Sequence, residues 1–289
     1  MAATESERLP GGIRIRPLGP QDIGAGLALS EEAGWNQIDE DWAWMIRAGR
    51  GWACTDETER VVATALTLPG TGAFGWISMV LVTGAWQRRG IASALMARSI
   101  EALKAAGKVP GLDATPAGRT VYGPLGFNDI YGLTRFRAEQ VTACEVPAPV
   151  ACRPMTAGDL SDLAALDRQA FGADRLGLLA DLLRRAPARA WVSEAGDGFC
   201  LGRDGRGAGQ LGPVVAERPE VALALAKAAL GRSTGPVMID VPDHHAGFIG
   251  WLERSGFAAQ RPYTRMLLGR SRPADDPERV FAITGPELG

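Results

Sequence analysis

Between Val80 and Met96 the chain reads VLVTGAWQRRGIASALM, and this stretch carries its most specific chemistry. A β-branched apolar run stops at Thr83-Gly84, and strong helix formers run from Ser93 onward. Gln87-Arg88-Arg89-Gly90-Ile91-Ala92 therefore falls where a strand turns into a helix. The first N–H groups of a helix lack intrahelical acceptors and carry the positive end of the macrodipole, so a helix start is an anion site. Gly90 lets backbone approach the anion without a Cβ between them. Arg88 and Arg89 add charge and forked donors. This order of residues suits a pyrophosphate or a similar polyanion. Taken alone, it also suits a basic cap on an ordinary α/β unit, with both arginines in solvent.

A second element lies at a telling distance. Residues 112–127 read LDATPAGRTVYGPLGF: a strand end, a short helix and a closing Gly-Phe. Gln-x-x-Gly-x-Ala after an apolar strand, followed by this segment, resembles the GCN5-related N-acetyltransferase superfamily. The resemblance implies that acyl-CoA lies in a splay between two central parallel strands. Backbone groups of Val80, Leu81 and Val82 would align the pantetheine and polarise the thioester carbonyl, a form of stabilisation that needs no reorganisation during reaction. Gln87, Arg88, Arg89, Gly90, Ile91, Ala92 and Ser93 would hold the pyrophosphate. Thr115 stands seven residues before the tyrosine, where many members carry a pantetheine-binding asparagine, and is a shorter partner. Tyr122 takes the position of the family's catalytic tyrosine, a phenol placed to protonate the departing thiolate. Its bland reading is a core tyrosine beside Leu125 and Phe127.

The resemblance makes residues 31–44 one wall of the acceptor site. That region holds Trp35, Trp42, Trp44 and five carboxylates, a combination suited to a cationic amine. Trp42 and Trp44 read equally as core and the acids as a solvated helix face. Trp35 and Asn36 fall in a loop, where function concentrates, and are the acceptor-site candidates. Glu31, Glu32 and Asp39 are alternatives for a general base, as is a water relay. No nucleophilic Cys–His pairing is visible, which fits direct transfer without a covalent enzyme intermediate.

The elements that must position these groups come in two copies. Residues 13–33, IRIRPLGPQDIGAGLALSEEA, match 150–170, VACRPMTAGDLSDLAALDRQA, in strand, Arg-Pro, turn, aspartate and amphipathic helix. Asp22 and Asp159 stand where a carboxylate can accept a helix-start N–H. The ends match as well: VYGPLGFNDIYGLTRF (121–136) and WLERSGFAAQRPYTRM (251–266) share Gly-Phe and Thr-Arg at equal spacing. The expected architecture is α/β (α+β): two tandem acetyltransferase-like domains, each a mixed, mostly antiparallel twisted sheet flanked by helices. The boundaries read as a disordered leader at 1–12, a catalytic domain at 13–137 and a linker at 138–149. A degenerate domain follows at 150–268, and a tail at 269–289. The second copy keeps the fold signals and loses the chemistry. Pro219 stands where a phosphate-binding N–H is wanted, and Leu252 replaces the tyrosine. No splayed cofactor cleft is expected there.

Composition narrows the function classes. Of 289 residues, 46% are hydrophobic and 22% charged, with a net charge of −2 and no basic arm or stripe, so a nucleic-acid partner is not indicated. Apolar runs fall well short of the ~20 residues a bilayer span needs. The polar N-terminus is not a secretory signal. Cys54, Cys144, Cys152 and Cys200 are widely spaced, and His244 and His245 are the only histidines. Neither pattern marks a disulfide framework or a metal site. The expectation is a cytoplasmic, metal-free enzyme with no membrane partner, which moves an acetyl group from acetyl-CoA to a small-molecule amine. Its competitors are a longer-chain acyl donor, a non-catalytic acyl-CoA sensor, and a protein lysine or N-terminal acetyltransferase.

Overall fold

The computed structural model describes residues 7–9, 12–70, 72–142, 145–146 and 150–289. By contact density the chain divides into two compact units, one holding residues up to 69 with 75–110, the other 70–74 with 111–289. The units part inside a strand, upstream of the segment 138–149 read as a linker. Cys144 lies outside the described residues.

The first unit is built from β1 (Glu7–Arg8), β2 (Arg14–Pro17), α1 (Ile23–Glu32), α2 (Asp39–Ala48), β3 (Arg50–Thr55), β4 (Val61–Leu68), β5 (Phe74–Val82) and α3 (Ile91–Ala105). Strands β1 to β5 follow one another in an antiparallel ladder. Alternation along the strands sends Ile13, Ile15, Trp52, Cys54, Ala63 and Ala65 to one face, where Ile91 and Leu95 of α3 close the core. Trp42 of α2 is fully buried, and its indole N–H donates to Ser30 at 3.1 Å. The leader was expected to be disordered, but Glu7 and Arg8 pair with Ile15 and Arg14, because β2 would otherwise present an open edge.

The second unit contains β6 (Val109–Ala114), α4 (Pro116–Tyr122), β7 (Phe127–Ala138), β8 (Cys152–Pro154), α5 (Leu160–Phe171), α6 (Leu176–Arg185), β9 (Trp191–Ser193), β10 (Gly198–Arg203), β11 (Gly209–Ala216), α7 (Pro219–Leu230), β12 (Val237–Pro242), α8 (Ala246–Arg254), β13 (Ala258–Leu268) and β14 (Val280–Ala282). The two copies exchange their last strands here. β7, which ends the first copy, pairs with β12 and β13 of the second, and β13 pairs in turn with β6 of the first. The repeated Thr-Arg explains the seam. Arg135 on β7 forks onto Asp240 of β12 at 2.7 and 2.8 Å, and Arg265 on β13 forks onto Asp113 of β6 at 3.0 Å twice. Both pairs are buried, so each copy's arginine satisfies the other copy's aspartate. Such pairs contribute to register more than to net stability, because desolvation offsets most of their attraction.

The duplication is visible in a second pair of details. Arg16 forks onto Asp22 and Arg153 onto Asp159, each six residues along. The aspartates do not cap the following helix as expected. A single 3-10 turn precedes each helix, so the carboxylate reaches back to the N–H of Gly19 at 2.9 Å and of Thr156 at 2.7 Å. Burial works to raise the Asp22 carboxyl, but the Arg16 and Gly19 hydrogen bonds outweigh it and hold it below the usual range. The Arg153 fork holds Asp159 low in the same way.

Candidate active site

β5 is bent just before the loop it feeds. Ser78 lies opposite Leu66 and Leu81 opposite Thr64, so β5 carries one more residue than β4 across this interval. The bulge centres on Met79, whose φ of 52° is left-handed and costly for a side chain of this size. Thr64, fully buried, donates its hydroxyl to the Met79 carbonyl at 2.9 Å and holds the distortion.

Beyond the bulge, Val80 and Val82 pack toward the α3 face and Leu81 is buried on the other. The chain then makes one 3-10 turn at Gly84–Trp86. Two contacts fix it. Gln87 donates its side-chain N–H to the Val82 carbonyl at 3.0 Å, tying loop to strand end. Glu32, the last residue of α1, accepts the Gly84 N–H at 2.7 Å and the Thr83 hydroxyl at 3.1 Å. Those hydrogen bonds, the Gly84 N–H foremost, hold the Glu32 carboxyl below its ordinary value. Glu32 thus anchors the loop through one carboxylate oxygen, Oε1.

Arg88 at φ 60° and Gly90 at φ 80° fold the chain so that Gly90 becomes the N-cap of α3. No side chain caps this helix. The N–H groups of Ile91, Ala92 and Ser93 have no carbonyl four residues back to accept them, so the helix start keeps its donors for an anion. Gly90 is required by its φ, since a Cβ there would meet no atom within 4 Å. Both arginines are exposed, and Arg89 stacks its guanidinium 4.7 Å over the Trp86 ring. This geometry fits the pyrophosphate of an acyl-CoA.

The acceptor candidates also lie in the first unit, between α1 and α2. Trp35 is half-buried and Asn36 buried. Gln37, not singled out from the sequence, is buried as well, and its Oε1 has no hydrogen-bond partner. Asp41 accepts the Ile38 N–H at 3.2 Å and so caps α2.

Thr115 and Tyr122 belong to the second unit and bracket α4. Thr115 caps the helix by accepting the Gly118 N–H at 3.1 Å, which leaves its own proton to donate. Tyr122, half-buried, ends the helix with its ring 6.2 Å from that of Phe127. Gly118 leaves room for the ring, since a Cβ there would come within 2.9 Å of it. Burial raises the Tyr122 phenol above its ordinary value, so it stays protonated at neutral pH and can serve as a donor. The matching positions of the second copy carry other residues. Pro219 opens α7 with Glu220 in its first turn, and Leu252 is wholly buried.

Burial pushes the Cys54 thiol up to about 12 and the Cys200 thiol higher still, so neither is a nucleophile. Among the described residues, no three His, Cys, Asp or Glu side chains are grouped to hold a metal ion, and no helix is long and apolar enough to cross a membrane.

Residues 26–127 match the acetyltransferase (GNAT) family, and residues 163–282 match an acetyltransferase (GNAT) domain. The chain is 23% identical over 268 residues to an uncharacterized N-acetyltransferase, YitH, of Bacillus subtilis, covering 91% of this chain and 94% of that one. Its fold is similar to a putative acetyltransferase of Pyrococcus horikoshii, with a TM-score of 0.82 and 21% identity over 100% of this chain and 99% of the other. A tandem GNAT protein from the clavulanic acid biosynthesis pathway aligns with a TM-score of 0.64 and 17% identity, over 88% and 98% of the two chains. Two matches to one family along a single chain, in register with the duplicated sequence, identify it as a tandem N-acetyltransferase of the GNAT family.

Proposed function

We propose that the first copy transfers an acetyl group from acetyl-CoA directly to the amine of a small molecule. The observation that carries this reading is the start of α3, left without a side-chain cap behind left-handed Gly90. When bound, acetyl-CoA supplies the acetyl group as a thioester. The N–H groups of residues 91–93, with Arg88, hold its phosphates, while Gln87 and Glu32 keep the loop in shape. Backbone groups beyond the bulge at Met79 orient the acyl arm along Val80–Val82, and Thr115 adds a hydroxyl. The Tyr122 phenol donates its proton to the sulfur as the thiolate departs. Asn36 and Gln37 support an amine acceptor, because the unpartnered Gln37 oxygen calls for an N–H donor. The raised thiols of buried Cys54 and Cys200 support direct transfer without a covalent enzyme intermediate, and free cysteines suit the cytoplasm.

The test is a turnover screen with acetyl-CoA over amines, amino acids, polyamines and aminoglycosides, read by released thiol. With the acceptor in hand, Tyr122→Phe removes one oxygen and keeps ring volume. It should lower kcat and kcat/KM together by about 100-fold, the low end for a general acid, with acetyl-CoA affinity unchanged. Turnover near that of the unsubstituted enzyme would show the tyrosine to be structural.

A further inference from the structure

No splayed cofactor cleft is expected in the second copy; two of its strands do part, and a third segment fills the gap. In the duplicated order β11 and β12 correspond to β5 and β6, the strands between which the family seats the acyl arm. β11 and β12 run parallel and pair from Gly209↔Val237 to Leu211↔Ile239, and then part. From that point β14 takes the edge of β11 that β12 has left, with Val214 opposite Ala282 and Val215 opposite Val280. It also reaches the other wall, where the Ile283 N–H donates to the Asp240 carbonyl of β12 at 2.9 Å. Gly212 makes room at the fork, since a Cβ there would lie 2.0 Å from the Ile283 carbonyl oxygen.

The segment is held along its length by buried groups. Asp275 accepts from Arg265 at 2.6 Å and pairs with Tyr131. His245 binds the carbonyls of Pro277 and Val280 and stacks on Phe281 at 4.1 Å. Arg175 donates to the Thr284 hydroxyl and the Gly289 carbonyl, each at 2.9 Å, and Arg203 pairs with Glu287. Except for the half-buried Pro286, residues 280–289 are all buried. The end of the region read from sequence as a tail is interior, with a strand at Val280–Ala282, because its backbone satisfies both walls of a cleft that would otherwise expose unpaired N–H and C=O groups.

We propose that the second copy is a strand-binding groove whose ligand is the chain's own residues 280–289, seated in place of an acyl-pantetheine arm. Main-chain pairing gives the affinity, as in strand addition to a sheet edge, and the buried arginines set the register. The inference rests on the duplication and is independent of the activity assigned to the first copy. A protease site inserted between Arg270 and Ser271, both exposed, cuts the folded full-length chain outside the groove. The fragment from Ser271 onward is expected to stay with the core through size-exclusion chromatography, to leave only in denaturant, and to resist displacement by millimolar pantetheine. In the uncut chain, amides 280–284 are expected to exchange as slowly as those of β11, with no change on adding acetyl-CoA. A fragment that separates from the folded core, displacement by pantetheine, or rapid exchange at 280–284 overturns the proposal.

Discussion

Gly90 offers a perturbation in which stability and binding are expected to move in opposite directions. Its φ of 80° places any L side chain in the left-handed region, at a cost of about 1–2 kcal/mol. Open space around the position means that no clash adds to this cost. Gly90→Ala should therefore lower the unfolding free energy by about 1–2 kcal/mol, all of it backbone strain. Gly90→Glu carries the same strain but sets a carboxylate at the positive end of α3, which returns about 0.3–1 kcal/mol. The glutamate variant should thus be the more stable of the two. For binding the order reverses. A carboxylate near 5 Å from one phosphate charge, in a surface site of effective dielectric near 20, repels it by about 3 kcal/mol, a loss of more than 100-fold in affinity. The alanine variant should lose affinity only through the displaced backbone approach, by about tenfold, a 1.4 kcal/mol effect. Chemical denaturation measures the first quantity and titration calorimetry with acetyl-CoA the second. Equal affinities in the two variants would show that no anion sits at this helix start.

Two further outcomes follow from the geometry. Gln37→Leu removes a buried oxygen that lacks a partner, so stability should hold or rise; if that oxygen receives the acceptor's N–H, KM for the amine should rise about tenfold, equivalent to 1.4 kcal/mol, with acetyl-CoA affinity unchanged. The folded-state carboxyls of Asp22 and Asp159 are depressed, so their stabilisation is complete above the ordinary aspartate value of 3.8 and is lost as pH falls through their lower folded values. Asp22→Asn should therefore cost about 1.5–3 kcal/mol at pH 7, the range for hydrogen bonds to a charged group, with the deficit shrinking below pH 4. Asp159→Asn should cost less, because its arginine is the more exposed, and urea titrations from pH 7 to pH 3 follow both.

Local signals determined a large part of this protein. The strand before Thr83, the helix from residue 91, Gly107 after it, and α2 at 39–48 follow from periodicity, helix propensity and turn residues, all of which act within a few positions. The repeated Arg-Pro and Thr-Arg pairs betrayed the duplication, because two copies of one plan need the same local chemistry twice. The uncapped helix start behind Gly90 was legible for the same reason, since a helix start and its glycine are neighbours in sequence. Only tertiary structure decided the rest. Glu32 and Gly84 are 52 residues apart, and nothing near either marks their hydrogen bond. The bulge at Met79 arises from a register mismatch with β4, which neither strand reveals alone. Local pattern cannot say which copy's strand a given arginine will meet, so the exchange that sets Arg135 on Asp240 and Arg265 on Asp113 stayed hidden. The last ten residues fall within 269–289, the stretch that reads as a tail. They are interior because two parting strands left edges that only a third strand could satisfy.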